Sequence, residues 1–404
     1  MHTYASLLGH QPQISIAELS ARLPDFTPLR RYGDFLIFQT SIEIDGAFLR
    51  TLGGTILFAK DVIGSSTVTL QDVPAILATE LRTKIRKPVF SLRLQGIAKA
   101  HGQELFKKCK DHLKAHGTPS RYIGSPGRPA LPIQLHDEGV LDPAEGCELT
   151  ILRDQDTLWI GRTIAAQDVK NYTQRDIGKP VRDTEVGLLP PKLAQILLSF
   201  GQYLAGIGQK PKSKDQMTVF DPFCGTGMIP LEALVLGMHV LASDLSQKAV
   251  NGCTKNIEWA RKTYKIAKKD TDATVWKQDA LKPFTLKEKP SVIVTEGTLG
   301  PALKSRPTVK DAEKMMREAE QLTVGFLKNC KATLPGVSIV MTLPVWYAQK
   351  KMVFLEKAFE NAHELGYRPV LPPHTTPALD GRFSLIYRRP DQMVGREIVL
   401  LQAR

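Results

Sequence analysis

"TVFDPFCGTGMIPLEAL", Thr218–Leu234, is the stretch whose reading decides the fold. A β-rich run, Thr218 to Phe220, meets an acid, Asp221; a glycine turn, Cys224-Gly225-Thr226-Gly227, follows and leads into an apolar helix. Glycines at such a turn let the backbone come within contact distance of a ligand and take up the positive φ that a Cβ would oppose. A ligand is therefore expected over the turn. The dinucleotide fingerprint G-x-G-x-x-G fails here, because Pro230 stands where the third glycine belongs. Asp221 would also crowd a pyrophosphate, whereas it suits a cationic ligand.

Two further acids follow at the ends of later strands. "HVLAS" runs into Asp244, where a carboxylate can accept both hydroxyls of a ribose, and "VWKQDALKPF" places Asp279 where it can accept from an adenine amino group. A nucleoside carrying positive charge answers to all three acids, and S-adenosylmethionine, with its ammonium and sulfonium, is such a molecule. From "KLAQILLSFGQYL" through "SQKAVNGCTKNIEWARKTYK" helices alternate with strands, which implies a parallel sheet covered on both faces. "RFSLIYRRPDQMVGREIVLL" reads as two closing strands around Pro390-Asp391.

The 404 residues exceed what one core usually serves, so two or three domains are expected. Residues 1–65 read as a small α+β unit and residues 66–166 as a basic section ending in a hairpin around Asp154-Gln155-Asp156; 167–188 read as a polar linker and 189–404 as the α/β domain. No apolar run approaches the roughly 18 residues of a membrane span, and no leader pattern opens the chain, so a cytoplasmic protein is expected. Five scattered cysteines and nine histidines without ligand spacing argue against a disulfide framework or a metal site. The net charge is +13, and between Arg82 and Arg128 twelve Lys/Arg face two acids. Such a stretch is either a solvated helix face or the footprint of a phosphate-backbone binder, with Arg82, Lys84, Arg86, Lys87, Lys107, Lys108 and Lys110 as candidate RNA contacts.

"DPFCGTGMIPLEAL", with Asp244 and Asp279 behind it, resembles class I S-adenosylmethionine-dependent methyltransferases of the amino-methylating type. "RDIGKPVRDTEVGLLPPKLAQILL" and "YASLLGHQPQISIAELSARL" are similar to segments of the tRNA guanine-N2 methyltransferases acting at position ten. The resemblance implies a Rossmann-like methyltransferase domain with a terminal antiparallel hairpin, preceded by a ferredoxin-like unit and a THUMP RNA-binding domain over the basic section. It implies S-adenosylmethionine as cofactor, RNA and chiefly tRNA as partner, and the guanine N2 amino group as target. On this basis Asp221, Cys224, Gly225, Thr226, Gly227, Asp244 and Asp279 are expected to hold the cofactor, with Phe223 and Pro191 lining it.

One stretch departs from the family. Amino-methylating members place an acid or amide, two prolines and an aromatic at the end of the fourth strand, where this chain has Thr295, Glu296, Gly297 and Thr298. Three readings stay open. Glu296 acts as the acceptor or general base, helped by Thr295; or the site is silent and the protein only binds RNA; or the chemistry lies elsewhere, as at Trp346 in "LPVW", stacking on a base.

Overall fold

The computed structural model describes residues 1–64, 66–81, 87–125, 128–155, 157–183, 188–206, 216–301, 303, 305–349, 351–389 and 392–404. Arg82, Lys84 and Arg86, and the turn residues Asp156, Pro390 and Asp391, lie outside them. The chain divides into two compact units, Met1–Ser15 with Asp25–Tyr172, and Ile16–Pro24 with Thr173–Arg404.

Along the first unit run β1 (His2–Leu8), the start of α1 (Pro12–Arg22), β2 (Thr27–Tyr32), β3 (Phe35–Thr40), α2 (Gly46–Leu49), β4 (Thr55–Asp61), α3 (Val73–Glu80) and β5 (Val89–Gln95). They are followed by α4 (Lys99–Ala115), β6 (Arg121–Tyr122), α5 (Pro132–Asp137), β7 (Gly146–Asp154), β8 (Thr157–Ala166) and the first turn of α6 (Val169–Asp176). One sheet in the order β2-β3-β1-β4-β8-β7-β5-β6 takes in strands from residues 1–65 and from 66–166 alike, joined where β4 pairs antiparallel with β8. Strand β5 lies parallel to β6 and β7. The helix α4 shows why its charges are on the surface: Gly102, Leu105, Cys109 and Leu113 recur at helical spacing and are buried, which turns Lys107, Lys108, Lys110 and Lys114 outward. Lys108 closes an i,i+4 pair with Glu104 at 2.8 Å, and His112 and His116 stack with ring centroids 4.2 Å apart.

The second unit continues with α7 (Pro191–Leu204), β9 (Thr218–Asp221), α8 (Met228–Val235), β10 (His239–Asp244), α9 (Gln247–Tyr264), β11 (Ala273–Lys277) and β12 (Val292–Glu296). It closes with α10 (Val309–Thr333), β13 (Ile339–Ala348), β14 (Lys351–Val353), α11 (Glu356–Glu364), β15 (Tyr367–Val370), β16 (Ser384–Tyr387) and β17 (Val394–Ala403). The sheet order is β11-β10-β9-β12-β13-β17-β15, with β14 beside β13 and β16 beside β17. Strands β9 to β13 are parallel; β17 runs antiparallel to β13, β15 and β16, as the closing strand pair read from the sequence requires. Central strands read as apolar runs because both faces are covered: all four residues of β9 and the first four of β12 are buried.

The polar stretch read as a linker carries the helix α6 and then packs against α9. Asn256, fully buried, accepts from the Val181 amide at 2.9 Å and donates to the Val181 and Thr226 carbonyls at 2.9 and 2.8 Å. One amide side chain thus ties this segment to the glycine turn. Proline and glycine content predicts a loop here, but Asn256 gives the loop's backbone a ladder-like partner.

Candidate functional site

In an open parallel sheet, ligands sit beyond the carboxyl ends of the strands where the strand order reverses. Strand β9 lies between β10 and β12, so its end is that point. A cavity of about 370 Å³ opens there, lined by Asp221, Phe223, Cys224, Gly225, Thr226, Asp244 and Glu296 among the expected residues. Lys179, Asp183, Leu188, Leu189, Met228 and Lys248 also line it. Asp279 and Pro191 are not among its described lining residues. Asp279 caps its own loop by accepting from the Leu281 amide at 2.9 Å, and Pro191 opens α7. Leu281, two residues after Asp279, is an exposed apolar side chain.

The glycine turn is built tightly. Gly227 has φ +86° and caps α8, and a Cβ there would come within 2.5 Å of the Cys253 sulfur, so no other residue fits. The turn also engages four of its own amide donors. The Phe223 amide donates to Asp221 Oδ1 (3.2 Å), Cys224 to the Ser243 carbonyl (3.0 Å), Gly225 to Asp244 Oδ2 (3.0 Å) and Gly227 to the Cys224 carbonyl (2.8 Å). The Cys224 and Cys253 thiols are free and hydrogen-bond to each other, and this contact and burial push the Cys224 thiol above its ordinary pKa.

The two central acids differ in burial and partners. Asp221 is 3% exposed, and burial pushes its carboxyl up to about 7; the Thr295 hydroxyl (2.6 Å) and the Phe223 amide oppose that rise, while the charges of Asp244 and Glu296 add to it. Asp244 is half-buried and lines the cavity; its Oδ1 accepts from the Ser246 amide at 2.8 Å and its Oδ2 from Gly225, and each oxygen can accept one bond more.

The TEGT stretch is arranged differently from the sequence reading. Thr295 is fully buried and donates its hydroxyl to Asp221, so it braces the acid of β9. Glu296 lines the cavity but is held from behind: Arg396 Nε donates to Oε1 at 2.5 Å and its NH2 reaches Oε2 at 3.5 Å, while Thr342 Oγ1 stands 3.5 Å from Oε1. Burial pushes the Glu296 carboxyl up, and Arg396 and Thr342 pull against it. Oε2 is the less engaged oxygen. Trp346, weighed as a base-stacking platform, lies within β13 and is fully buried, so its faces are committed to the core.

Four residues of this site escaped the sequence reading. Arg396 had a signal, a charged Arg-Glu pair inside the apolar run "VGREIVLL"; Asn256 had one too, a polar residue among the buried Val250, Cys253, Ile257 and Ala260 of α9. Lys179 sits in the stretch read as a linker, and Thr342 is marked by nothing except its sheet position beside Glu296.

A glycine turn between β9 and α8, acids at the ends of β9 and β10, and a parallel sheet closed by antiparallel strands define an α/β class I methyltransferase-like fold. The family match and the TrmN structure agree with this fold. Residues 204–333 match the UPF0020 family, described as "RMKL-like, methyltransferase domain". Over 159 residues the chain is 33% identical to the tRNA (guanine(10)-N2)-dimethyltransferase of Methanothermobacter thermautotrophicus, a match spanning 39% of this chain and 39% of that relative's length. TrmN from Thermus thermophilus superposes over all of both chains with a TM-score of 0.52 at 15% identity. A possible methylase from Clostridium difficile 630 covers this whole chain and 98% of its own, with a TM-score of 0.48 at 11% identity. No helix among the described residues is long and apolar enough to cross a membrane.

Proposed function

We propose that this protein is an S-adenosylmethionine-dependent RNA methyltransferase that acts on a tRNA base. The observation that carries the reading is the cavity itself, with Asp221 and Asp244 at adjacent strand ends around a glycine turn. The residues fit the cofactor: Asp221 can face an ammonium, Asp244 can accept from ribose hydroxyls, and Phe223 and Met228 offer apolar contact. S-adenosylmethionine supplies a methyl group already activated on sulfonium, so placing the nucleophile in line is most of what the protein must add. Glu296, on the cavity wall, is the acceptor for the target's hydrogens, and Arg396 positions it and favours its charged form against the effect of burial. The guanine N2 amine is the target we favour, since that is the reaction in the name of the relative from Methanothermobacter.

A catalytically silent RNA-binding module is the second reading. It draws on the engagement of Glu296 by Arg396 and of Thr295 by Asp221. Labelled S-adenosylmethionine and total tRNA or rRNA separate the two. The expected result is label in tRNA with the natural protein and a loss of about 100-fold with Glu296→Ala. Equal labelling by both would remove Glu296 from the mechanism, and no transfer into any RNA would favour the module.

For the RNA, the exposed lysines of α4 are the proposed contacts, with Lys87 beside β5. Neutralising Lys107, Lys108 and Lys110 together is expected to flatten the dependence of log affinity on log salt by about 0.9 for each phosphate that is no longer neutralised. An unchanged slope in a filter-binding titration returns these lysines to a solvated helix face.

A further inference from the structure

The acids of the cavity account for the positive end and the ribose of the proposed cofactor, but its methionine part also carries a carboxylate. That anion lies two bonds from the ammonium, so it must be met close to Asp221. The amides of Phe223, Cys224, Gly225 and Gly227 already donate inside the protein. With these four donors engaged, a side-chain cation beside the turn is well placed to meet an incoming carboxylate.

Among the described residues, two lysines line the cavity. Lys248 has a side chain 75% exposed and pairs with Asp183 at 3.4 Å. Lys179 is 4% exposed, and no carboxylate among the described residues lies within ion-pair distance of its ammonium. Burial pulls its pKa down from the ordinary lysine value; Asp176 and Glu232 oppose that from farther off, and Arg182 adds to it. Glu232 is itself engaged by Arg175 at 2.5 Å. A buried ammonium without a close counter-charge is costly unless a ligand completes it. Its segment is also held in place, because Val181, two residues on, is clamped by Asn256 to the turn that bounds the cavity.

We propose that Lys179 binds the α-carboxylate of S-adenosylmethionine, beside the ammonium that Asp221 faces. This rests on the cofactor reading above. It makes the segment before α7 part of the cofactor site, with Lys179 and Asp221 reading the two charges of an amino acid moiety as a pair.

Calorimetric titration of natural protein and Lys179→Met with S-adenosylmethionine and with its decarboxylated analogue tests this. The expected result is a loss of about 10- to 100-fold in affinity for S-adenosylmethionine in the variant, the range of a charge-assisted hydrogen bond, and less than about twofold for the analogue. Lys179→Arg should retain most of the affinity and shows that the site tolerates substitution if the methionine variant folds poorly. Equal losses for both ligands, or none for either, would overturn the role of Lys179 and leave the carboxylate to the backbone at the start of α8. If the natural protein binds the decarboxylated analogue as tightly as S-adenosylmethionine, the carboxylate is not recognised and the proposal fails while the cofactor reading stands. Failure of the natural protein to bind either molecule would overturn the cofactor reading and this assignment with it.

Discussion

Arg396→Gln is expected to lower stability by about 3–5 kcal/mol near pH 8, and by much less near pH 5. The guanidinium is 3% exposed and bonds Glu296 at 2.5 Å, so its removal strands a carboxylate whose side chain is 14% exposed. Glu296 already has a folded pKa raised by burial against the pull of Arg396. A group with a raised folded pKa favours the fold fully below its unfolded pKa, near 4.3, and that contribution is lost as pH rises through the folded value. Without Arg396 burial acts unopposed by the ion pair, the folded pKa moves farther up, and the penalty grows toward alkaline pH. Thermal unfolding at the two pH values measures it, and Arg396→Gln combined with Glu296→Gln should recover most of the loss, because neither charge then remains. A loss independent of pH and not recovered in the double variant would show that Arg396 acts through packing alone.

The affinity for S-adenosylmethionine is expected to rise about tenfold from pH 6 to pH 8. The Asp221 carboxyl, held at about 7 chiefly by burial, is mostly protonated at the lower pH and mostly ionised at the higher. A cation binds the ionised form, so the bound-state pKa is lower than the free one: affinity falls as pH drops through 7, and binding below 7 releases a proton. The same raised pKa means that the free protein loses stability as pH rises through 7, which ligand binding offsets. Calorimetry in buffers of different ionisation enthalpy counts the released proton. Asp221→Asn should bind weakly with little pH dependence between 6 and 8, and Thr295→Val, which removes the hydroxyl bonded to Asp221 at 2.6 Å, should move the midpoint upward. An affinity flat across this range in the natural protein would mean that Asp221 does not face the ammonium.

Both expectations concern groups that the sequence names only in part. Asp221, Gly225, Gly227 and Asp244 were legible because a strand end, a tight turn and a helix start are short-range features, each set by a few consecutive residues. The buried runs of β9 and β12 and the helical stripe of α4 were legible for the same reason, since period and burial go together. For Asp279 the end of a strand fixes only a height in the sheet, while the loop beyond it decides how the carboxylate is used locally, and here one oxygen accepts from the Leu281 amide.

Local chemistry in the sequence thus determined an α/β domain with a parallel sheet, a glycine turn with acids beside it, and a surface helix rich in lysine. Only the tertiary structure decided what Glu296 is bound to. Arg396 lies a hundred positions away in sequence and reaches it across β13, because the order β12-β13-β17 and the register of Glu296 beside Thr342 align the three strands. The burial of Lys179, the clamp by Asn256 and the use of Thr295 by Asp221 arise in the same way. Each pairs groups brought together by strand order and helix packing, and no local period in the chain records which distant partner will arrive.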